Sequence, residues 1–422
     1  MQDNLRTVNV GLIGLGTVGG GVARTILSHH DRYLDAYNID LKIARACGLV
    51  WEQAEAAGIT PEQFTSDWHD VVSDENVDIV VELIGGEHPA TEIYEAAFAA
   101  GKHVVTANKA LLGRHVESFA RAAREHGVQL KCEASCGGGI PIVSTLERDL
   151  VGNEVLTIAG ILNGTTNYIL SRMEAEGADY ADVLADAQAK GYAEADPSAD
   201  VDGFDAASKT AILASIGFSS RVTTDDVYQQ GIRTISAEDI SAAHDLGYTI
   251  KLLGIARNTA EGVDVRVHPT MIPLDHQLAK VSGAMNAVYV VGDILTLSEQ
   301  ISRGVAPLPE SEPFSRNKPI RSMDELETKY YIRLRVADRV GALAEAVNVF
   351  AKHDISISLI NQLEDGNSDS DACSVIFLTH KALEKNVQDA AAALAASDCV
   401  SEVANVLRIE DVDAWTDGVM AN

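Results

Sequence analysis

Basic residues are scarce in this 422-residue chain: 33 Lys and Arg stand against 62 Asp and Glu, a formal charge of −29. Such a balance leaves no basic footprint for nucleic acid and none for an anionic membrane surface; the acidity reads as a solubility feature. Long apolar runs are missing as well, and none approaches the ~18 residues that a membrane span needs. The N-terminal MQDNLRTVNVGLIGLG lacks a basic region followed by an apolar stretch and a small-residue cleavage site, so no signal peptide is expected. Cysteine is sparse: Cys47, Cys132, Cys136, Cys373 and Cys399 form an odd, widely spaced set, which fits free thiols in a reducing cytoplasm. Cys132 and Cys136 have no neighbouring His/Cys pair to complete a zinc set. What is present, 46% hydrophobic and 23% charged residues, is ordinary for a folded protein. The length predicts about three domains.

Short apolar strands alternate with helices through the first third. Val8–Ile13, Leu41–Ala46, Val77–Ile84, His103–Thr106 and Val128–Lys131 read as strands, and Glu92–Ala100 and Val116–His126 as helices. That alternation predicts βαβ units and a parallel sheet. From about residue 140 the texture becomes α+β, with helical periodicity at 167–190 and 206–216 and strand candidates at 155–161, 252–256, 263–267 and 287–291. Residues 305–328 carry four prolines and few large apolar groups, the composition of a linker. Beyond it the pattern is βαββαβ, a small two-layer module, with a hairpin turn at 365–371. The expected domains are 1–140, 141–304, the linker 305–328, and 329–410. The last is expected to be separable by a cut within 310–325.

Gly14-x-Gly16-x-x-Gly19 lies between a strand and a helix, where glycines permit a tight turn and let backbone approach a pyrophosphate at the helix N-terminus. No acid ends the second strand to take a ribose hydroxyl, and Arg45 is a candidate for a 2′-phosphate, which weakly favours NADP over NAD; a surface role for Arg45 is an equal alternative. Thr106-Ala107-Asn108-Lys109 closes a strand at its carboxyl end, the ligand side of an open parallel sheet. Between Ala187 and Lys209, five acids crowd a Gly/Pro-bounded loop that opens a helix. Asp205 and Lys209 are one turn apart and share a face. A lysine held this way in a cleft can relay a proton to or from a hydroxyl; a surface ion pair over an acidic capping loop is the alternative.

Taken together, GLGTVG near the start, VELIGG at 81–86, TANKALL at 106–112, EAS…GGIP at 133–141, GILNGTTNYIL at 160–170 and the 187–209 stretch resemble the homoserine dehydrogenases over nearly the whole chain. The tail resembles an ACT domain, an amino-acid-sensing module, with Asp338–Leu343 at its first strand-to-helix turn. The resemblance implies a Rossmann-type α/β dinucleotide-binding domain, an α+β catalytic and dimerisation domain, and a ferredoxin-like ACT domain. It implies NAD(P)-dependent interconversion of L-homoserine and L-aspartate 4-semialdehyde in threonine, methionine and isoleucine biosynthesis, with feedback through the tail. On these positions the family's pattern makes Lys209 the general acid/base and Lys109 a lysine contacting cofactor and substrate. Glu194 holds the substrate ammonium, with Asp200 and Asp205 in the same pocket. Gly14, Gly16, Thr17, Val18, Gly19, Thr106, Lys109 and Gly191 contact the cofactor. Glu133, with backbone carbonyls of Cys136, Gly138 and Ile140, binds a monovalent cation, expected to be sodium. A cytoplasmic homodimer or homotetramer with an amino-acid effector, and neither nucleic acid nor membrane as partner, is expected.

Three positions depart from the pattern. Cys136-Gly137-Gly138-Gly139 replaces Val-Ala-Gly-Gly, and Leu49 stands where a basic residue is usual. After Gly292-Asp293 the family's glycine-rich closing segment is absent, and Ile294-Leu295-Thr296-Leu297 follows at once. A second reading is therefore an amino-acid-sensing homologue with impaired catalysis; alternatively, residues are missing from the chain, and the backbone should show a gap near 291–294.

Overall fold

The computed structural model describes residues 6–283, 289–304, 314, 316–362 and 371–415. Two compact units share the chain: residues 1–155, 211–226 and 285–318 make the first, and 156–210, 227–284 and 319–422 the second. The blocks read from the sequence are contiguous and these units are not.

The first unit runs β1 (Arg6–Ile13), α1 (Thr17–Ser28), α2 (His30–Tyr37), β2 (Ile39–Cys47), α3 (Trp51–Ala56), β3 (Phe64–Thr65), α4 (Trp68–Ser73), β4 (Ile79–Glu82), α5 (Ala90–Ala99), β5 (His103–Thr106), α6 (Lys109–Glu125) and β6 (Leu130–Lys131). Val8, Val10, Leu12, Ile79, Val81 and Val105 are fully buried, the mark of strands covered on both faces. All six strands are parallel, in the order β3-β2-β1-β4-β5-β6. The order reverses between β1 and β4, so a crevice opens at the carboxyl ends there. Helix α6 starts at Lys109, well before the expected Val116, because the Asn108 side chain accepts from Leu111 N–H at 3.2 Å and caps the first turn. Lys109 therefore opens a helix rather than lying in a loop.

In the second unit come β7 (Thr157–Gly160), α7 (Gly164–Glu176), α8 (Tyr180–Ala189), α9 (Ser198–Val201), α10 (Phe204–Phe218, whose second half belongs to the first unit), β8 (Tyr228–Gln229), α11 (Ala237–Asp245), β9 (Tyr248–Asn258) and β10 (Val263–Pro273). The helical stretch 167–190 is two helices, since Gly177 at φ +63° closes α7. Helix α12 (Val290–Ser302) returns to the first unit, where Val290, Ile294 and Leu297 are fully buried in the core of the parallel sheet. Each contributes about 1.5–3 kcal/mol by burial. Two expectations fail here. Residues 289–291 are not a strand, their valines serving a helix face (287 and 288 lie outside the described residues). Nor is there a gap at 291–294, which sit inside one unbroken helix.

The C-terminal module is β11 (Glu327–Ala337), α13 (Ala342–Lys352), β12 (Ile357–Gln362), β13 (Ala372–Thr379), β14 (Ala382–Leu383), α14 (Glu384–Ala395) and β15 (Val400–Ile409). The expected βαββαβ order is present, with a short extra strand; most of the turn at 365–371, and residues 305–313 and 315 of the linker 305–328, lie outside the described residues. Its independence is not present. β15 pairs in parallel with β10 through Thr270 with Arg408 and Met271 with Ile409, giving one nine-stranded sheet whose main path is β12-β13-β11-β15-β10-β9-β7, with β14 paired to β11 and β8 to β10 off that path. Arg266 on β10, fully buried, bonds to Asp264 and to Glu410 just past β15. Arg333 on β11 bonds to Asp239 at 2.7 Å and Glu238 at 2.7 Å on α11. These contacts bear against the expectation of a detachable tail.

This seam makes stability pH-dependent. His268 on β10 is fully buried, and burial first, then the charges of Arg408 and Arg266, hold its pKa well below the ordinary 6.5. The unfolded imidazole takes up a proton near pH 6.5 that the folded one refuses, so stability is full above that value and falls as pH drops below it. In urea unfolding between about pH 8 and about pH 5, His268→Gln should flatten this acid limb. An identical limb in the variant would assign it to other groups.

Candidate functional site

In the first unit the glycine turn divides its labour. Gly14 has φ +100°, and a Cβ there would come to 2.8 Å from the Leu83 backbone. A Cβ on Gly19 would overlap the carbonyl oxygen of Gly14. Gly14 is required by the approach of the chain after β4, and Gly19 by the packing of α1 against the end of β1. Gly16 differs: its φ is −68° and nothing lies within 4 Å of an added Cβ. It opens α1 with no side-chain cap and no acid in the first turn, and Gly16 and Thr17 are exposed with Val18 half-buried beside them. Open space before uncapped helix N–H groups fits a pyrophosphate. Gly16→Val should therefore keep the thermal midpoint while raising the KM for cofactor about 10-fold or more. A fall in stability with unchanged KM would make Gly16 a packing glycine.

Across the crevice, β4 ends in Glu82, fully buried. One oxygen accepts from Ile84 N–H at 2.7 Å and Gly85 N–H at 3.0 Å. The other faces the hydroxyls of Tyr94 at 2.7 Å and Thr106 at 3.0 Å, and Asn108 Nδ2 at 3.4 Å. Asn108 also donates to the Gly86 carbonyl at 2.7 Å. Glu82 thus joins the loops after β4 and β5, and Lys109 stands exposed on the next residue. The Thr106 hydroxyl is consumed inside this network.

In the second unit, Asn163 caps α7, its Oδ1 accepting from Thr166 N–H at 2.8 Å. Its Nδ2 donates to Asp200 at 2.6 Å and Asp205 at 3.0 Å. Lys209 Nζ lies 2.7 Å from the same Asp205 carboxylate and 2.8 Å from the Leu162 carbonyl. The Asp205 side chain is 5% exposed and that of Lys209 16%, so this charge-assisted bond is sheltered from water. Asp200, Asp205 and Lys209 are brought together. Glu194 is not in the cluster: it lies exposed on the loop after α8, held through its backbone carbonyl by Gln188 at 2.9 Å. Gly191, at φ +74°, opens that loop. A fixed ammonium beside two carboxylates can hold and pass a proton while the carboxylates attract a cationic group.

Comparison with known proteins matches the family model described as "Homoserine dehydrogenase, NAD binding domain" to residues 14–133, "Homoserine dehydrogenase" to 141–305 and "ACT domain" to 330–396. The chain is 41% identical to the homoserine dehydrogenase of Corynebacterium glutamicum, covering 96% of each. It is 39% identical to that of Synechocystis, over 96% of this chain and 99% of the other. The chain belongs to the homoserine dehydrogenase family. Among solved structures, a homoserine dehydrogenase from Thiobacillus denitrificans superposes with TM-score 0.89 at 38% identity, over 96% of this chain and 99% of that one. The one from Staphylococcus aureus superposes with TM-score 0.73 at 27% identity, over 96% and 99%.

A homoserine dehydrogenase is an NAD(P)-dependent oxidoreductase that interconverts L-homoserine and L-aspartate 4-semialdehyde, and this is the activity of the chain, which also carries an ACT domain. Nothing in its relatives favours the impaired alternative. Among the described residues no helix is long and apolar enough to cross a membrane.

Two features of this homoserine dehydrogenase differ from their expected roles. Arg45 donates to Asp74 at 3.0 Å and the Glu62 carbonyl at 3.1 Å, so its guanidinium is committed to the strand's flank, the surface role that the sequence left open. Glu133 uses its carboxylate to accept from Ile142, Val143 and Ser144 N–H at 2.6, 2.9 and 2.7 Å, leaving its backbone carbonyl as the ligand it can offer. Its own N–H donates at 2.9 Å to Asp293, whose carboxyl burial pushes up to about 7 against that bond. Among the described residues no cluster of three or more His, Cys, Asp or Glu could hold a metal, so a cation at 133–140 depends on carbonyl oxygens.

Asn163 and Glu82 lie within the motifs GILNGTTNYIL and VELIGG, which by themselves assign neither residue a role. For Asn163 the signal was there: Asn-Gly-Thr-Thr before a helical run is an N-cap pattern. For Glu82 the only hint was an acid at the end of an otherwise apolar strand.

Proposed function

We propose that Lys209 is the general acid/base of this enzyme. The observation that carries this is its ammonium, held between Asp205 and the Leu162 carbonyl in a sheltered cluster with Asp200 and Asn163. Bound NAD(P) supplies hydride-transfer chemistry. Gly14, Gly16, Thr17, Val18 and Gly19 seat its pyrophosphate, with the Thr106 backbone, Lys109 and Gly191 as further contacts. Lys209 delivers or accepts the proton at the substrate oxygen. Asp200 and Asp205 hold charge and position around it, and the exposed Glu194 carboxylate receives the substrate ammonium. Substrate-dependent NADPH consumption with L-aspartate 4-semialdehyde tests the reading; a folded protein without turnover would favour the impaired sensor.

We retain a preference for NADP on one ground: β2 ends in Cys47-Gly48-Leu49, without a carboxylate to repel a 2′-phosphate. Arg45 no longer supports it. Comparing kcat/KM for the two cofactors decides. A sodium ion on the carbonyls of Glu133, Cys136, Gly138 and Ile140 suits hard-cation chemistry, supported by the paired positive φ of Gly137 (+69°) and Gly138 (+61°). The same proposal includes a cytoplasmic homo-oligomer, an amino-acid effector acting at the turn Asp338–Leu343, and domains at 1–140, 141–304 and 329–410. L-Threonine, the family's usual end product, is the effector to titrate first.

A further inference from the structure

The C-terminal module reaches the catalytic cluster through a short run of contacts within one unit. Arg408 on β15 is 1% exposed. Its guanidinium bonds to Glu384 on α14, to Gln230 Oε1 at 2.5 Å and to the Tyr228 hydroxyl at 2.9 Å, and lies 4.9 Å from the Tyr228 ring centre. Tyr228 opens the short strand β8 and Gln230 follows it, and the strand runs beside β10. The segment they begin clasps the backbone joining α9 to α10. Gln229 Nε2 donates to the Asp202 carbonyl at 2.9 Å, and Ile232 N–H to the Val201 carbonyl at 2.8 Å. Arg233 holds the Asp202 carboxylate at 2.9 Å. Gly231 sits so close to Val201 and Asp202 that any Cβ would overlap their backbone. Asp200 precedes this joint, and Asp205 and Lys209 follow it.

We propose that Tyr228 and Gln230, gripped by Arg408, are positioning residues for the proton relay: they fix the α9–α10 joint and so set where Asp200, Asp205 and Lys209 stand. The proposal rests on the reading of Lys209 as general acid/base. Three observations carry it. The clasp is made at both the backbone and the Asp202 side chain, so the joint cannot shift without the segment 228–233. Among the described residues, the side-chain bonds from β15 to residues 228–233 are the two from Arg408, each ending on a neutral group, with Asn405 donating to the Thr234 carbonyl just beyond at 3.1 Å. The two Arg408 bonds are also charge-assisted and made by a guanidinium that is itself buried, so removing one acceptor alters the placement of the segment. A displacement of about 1 Å at a reacting group costs up to about 100-fold in rate. The same run gives the C-terminal module a physical route to the reaction, because any change that shifts β15 moves Arg408.

The test uses the full chain with Tyr228→Phe and Gln230→Met, each alone and in a Lys209→Ala background. Tyr228→Phe keeps the ring and deletes one acceptor, so it guards against loss of fold, which thermal unfolding monitors. Each variant is expected to lower kcat about 10-fold with the KM for cofactor unchanged. In the Lys209→Ala background each should have no further effect, because both act through the same group. Unchanged kcat in both variants, with Lys209→Ala strongly impaired, overturns the proposal and leaves the reading of Lys209 standing. Equal losses with and without Lys209 also overturn it, since the segment would then act elsewhere. Near-normal turnover in a folded Lys209→Ala protein removes the reading of Lys209 itself, and this proposal falls with it.

Discussion

Lys209→Ala is expected to lower kcat about 10²–10⁴-fold, the range of general acid–base catalysis. The KM for cofactor should stay near its original value, since the glycine cradle lies in the other compact unit. Some stability should be lost as well. Asp205, with its side chain 5% exposed, keeps its bond from Asn163 but loses its cation, a loss of about 1.5–3 kcal/mol for a charged hydrogen bond. Circular dichroism and urea unfolding separate that modest cost from unfolding. Near-normal kcat in a folded variant would remove Lys209 from the mechanism.

The second large effect is structural. Glu410→Ala should destabilise the protein by about 3–5 kcal/mol, because it strips one of two carboxylates from the fully buried Arg266 guanidinium. Replacing Arg266 and Glu410 together, as Arg266→Met with Glu410→Leu, should recover part of the loss, since the fully buried guanidinium is gone and only the partly exposed Asp264 carboxylate is left without its partner. A chain ended within 310–325 removes the same carboxylate, uncovers the β10 edge and frees Asp239 from Arg333; it should be the least stable of all. Urea denaturation at one pH ranks the three. A truncated chain as stable as the full one would show that the shared sheet contributes little.

How far the sequence reached depended on the signal involved. Strand β5 was bounded at His103 and Thr106 from residue pattern alone, because a short apolar run between helices has one good reading. Val290 and Val291 misled, since β-branched residues in a short window look alike on a strand and on a buried helix face. The union of β10 with β15 was invisible: it rests on two residue pairs and on arginines that composition counts as surface charge. At the site, the i, i+4 spacing of Asp205 and Lys209 was readable because both lie on one helix. Asn163, 37 residues from Asp200, joins the cluster through tertiary folding, and spacing carries no information about that. Arg45 shows the converse: its strand position was clear, but its commitment to Asp74 depended on a loop 29 residues away.

The interleaving of the two units has a consequence during synthesis. The six parallel strands have all been synthesised once Lys131 is added, yet part of their apolar cover is α12, which follows more than 150 residues later. A nascent chain paused near residue 285 carries a sheet whose pocket for Val290, Ile294 and Leu297 is still empty, together with a β10 edge that waits for β15. Both surfaces are of the kind that associates between copies at intermediate length. Chaperone demand should therefore peak in the middle of translation and end only when the last strand arrives.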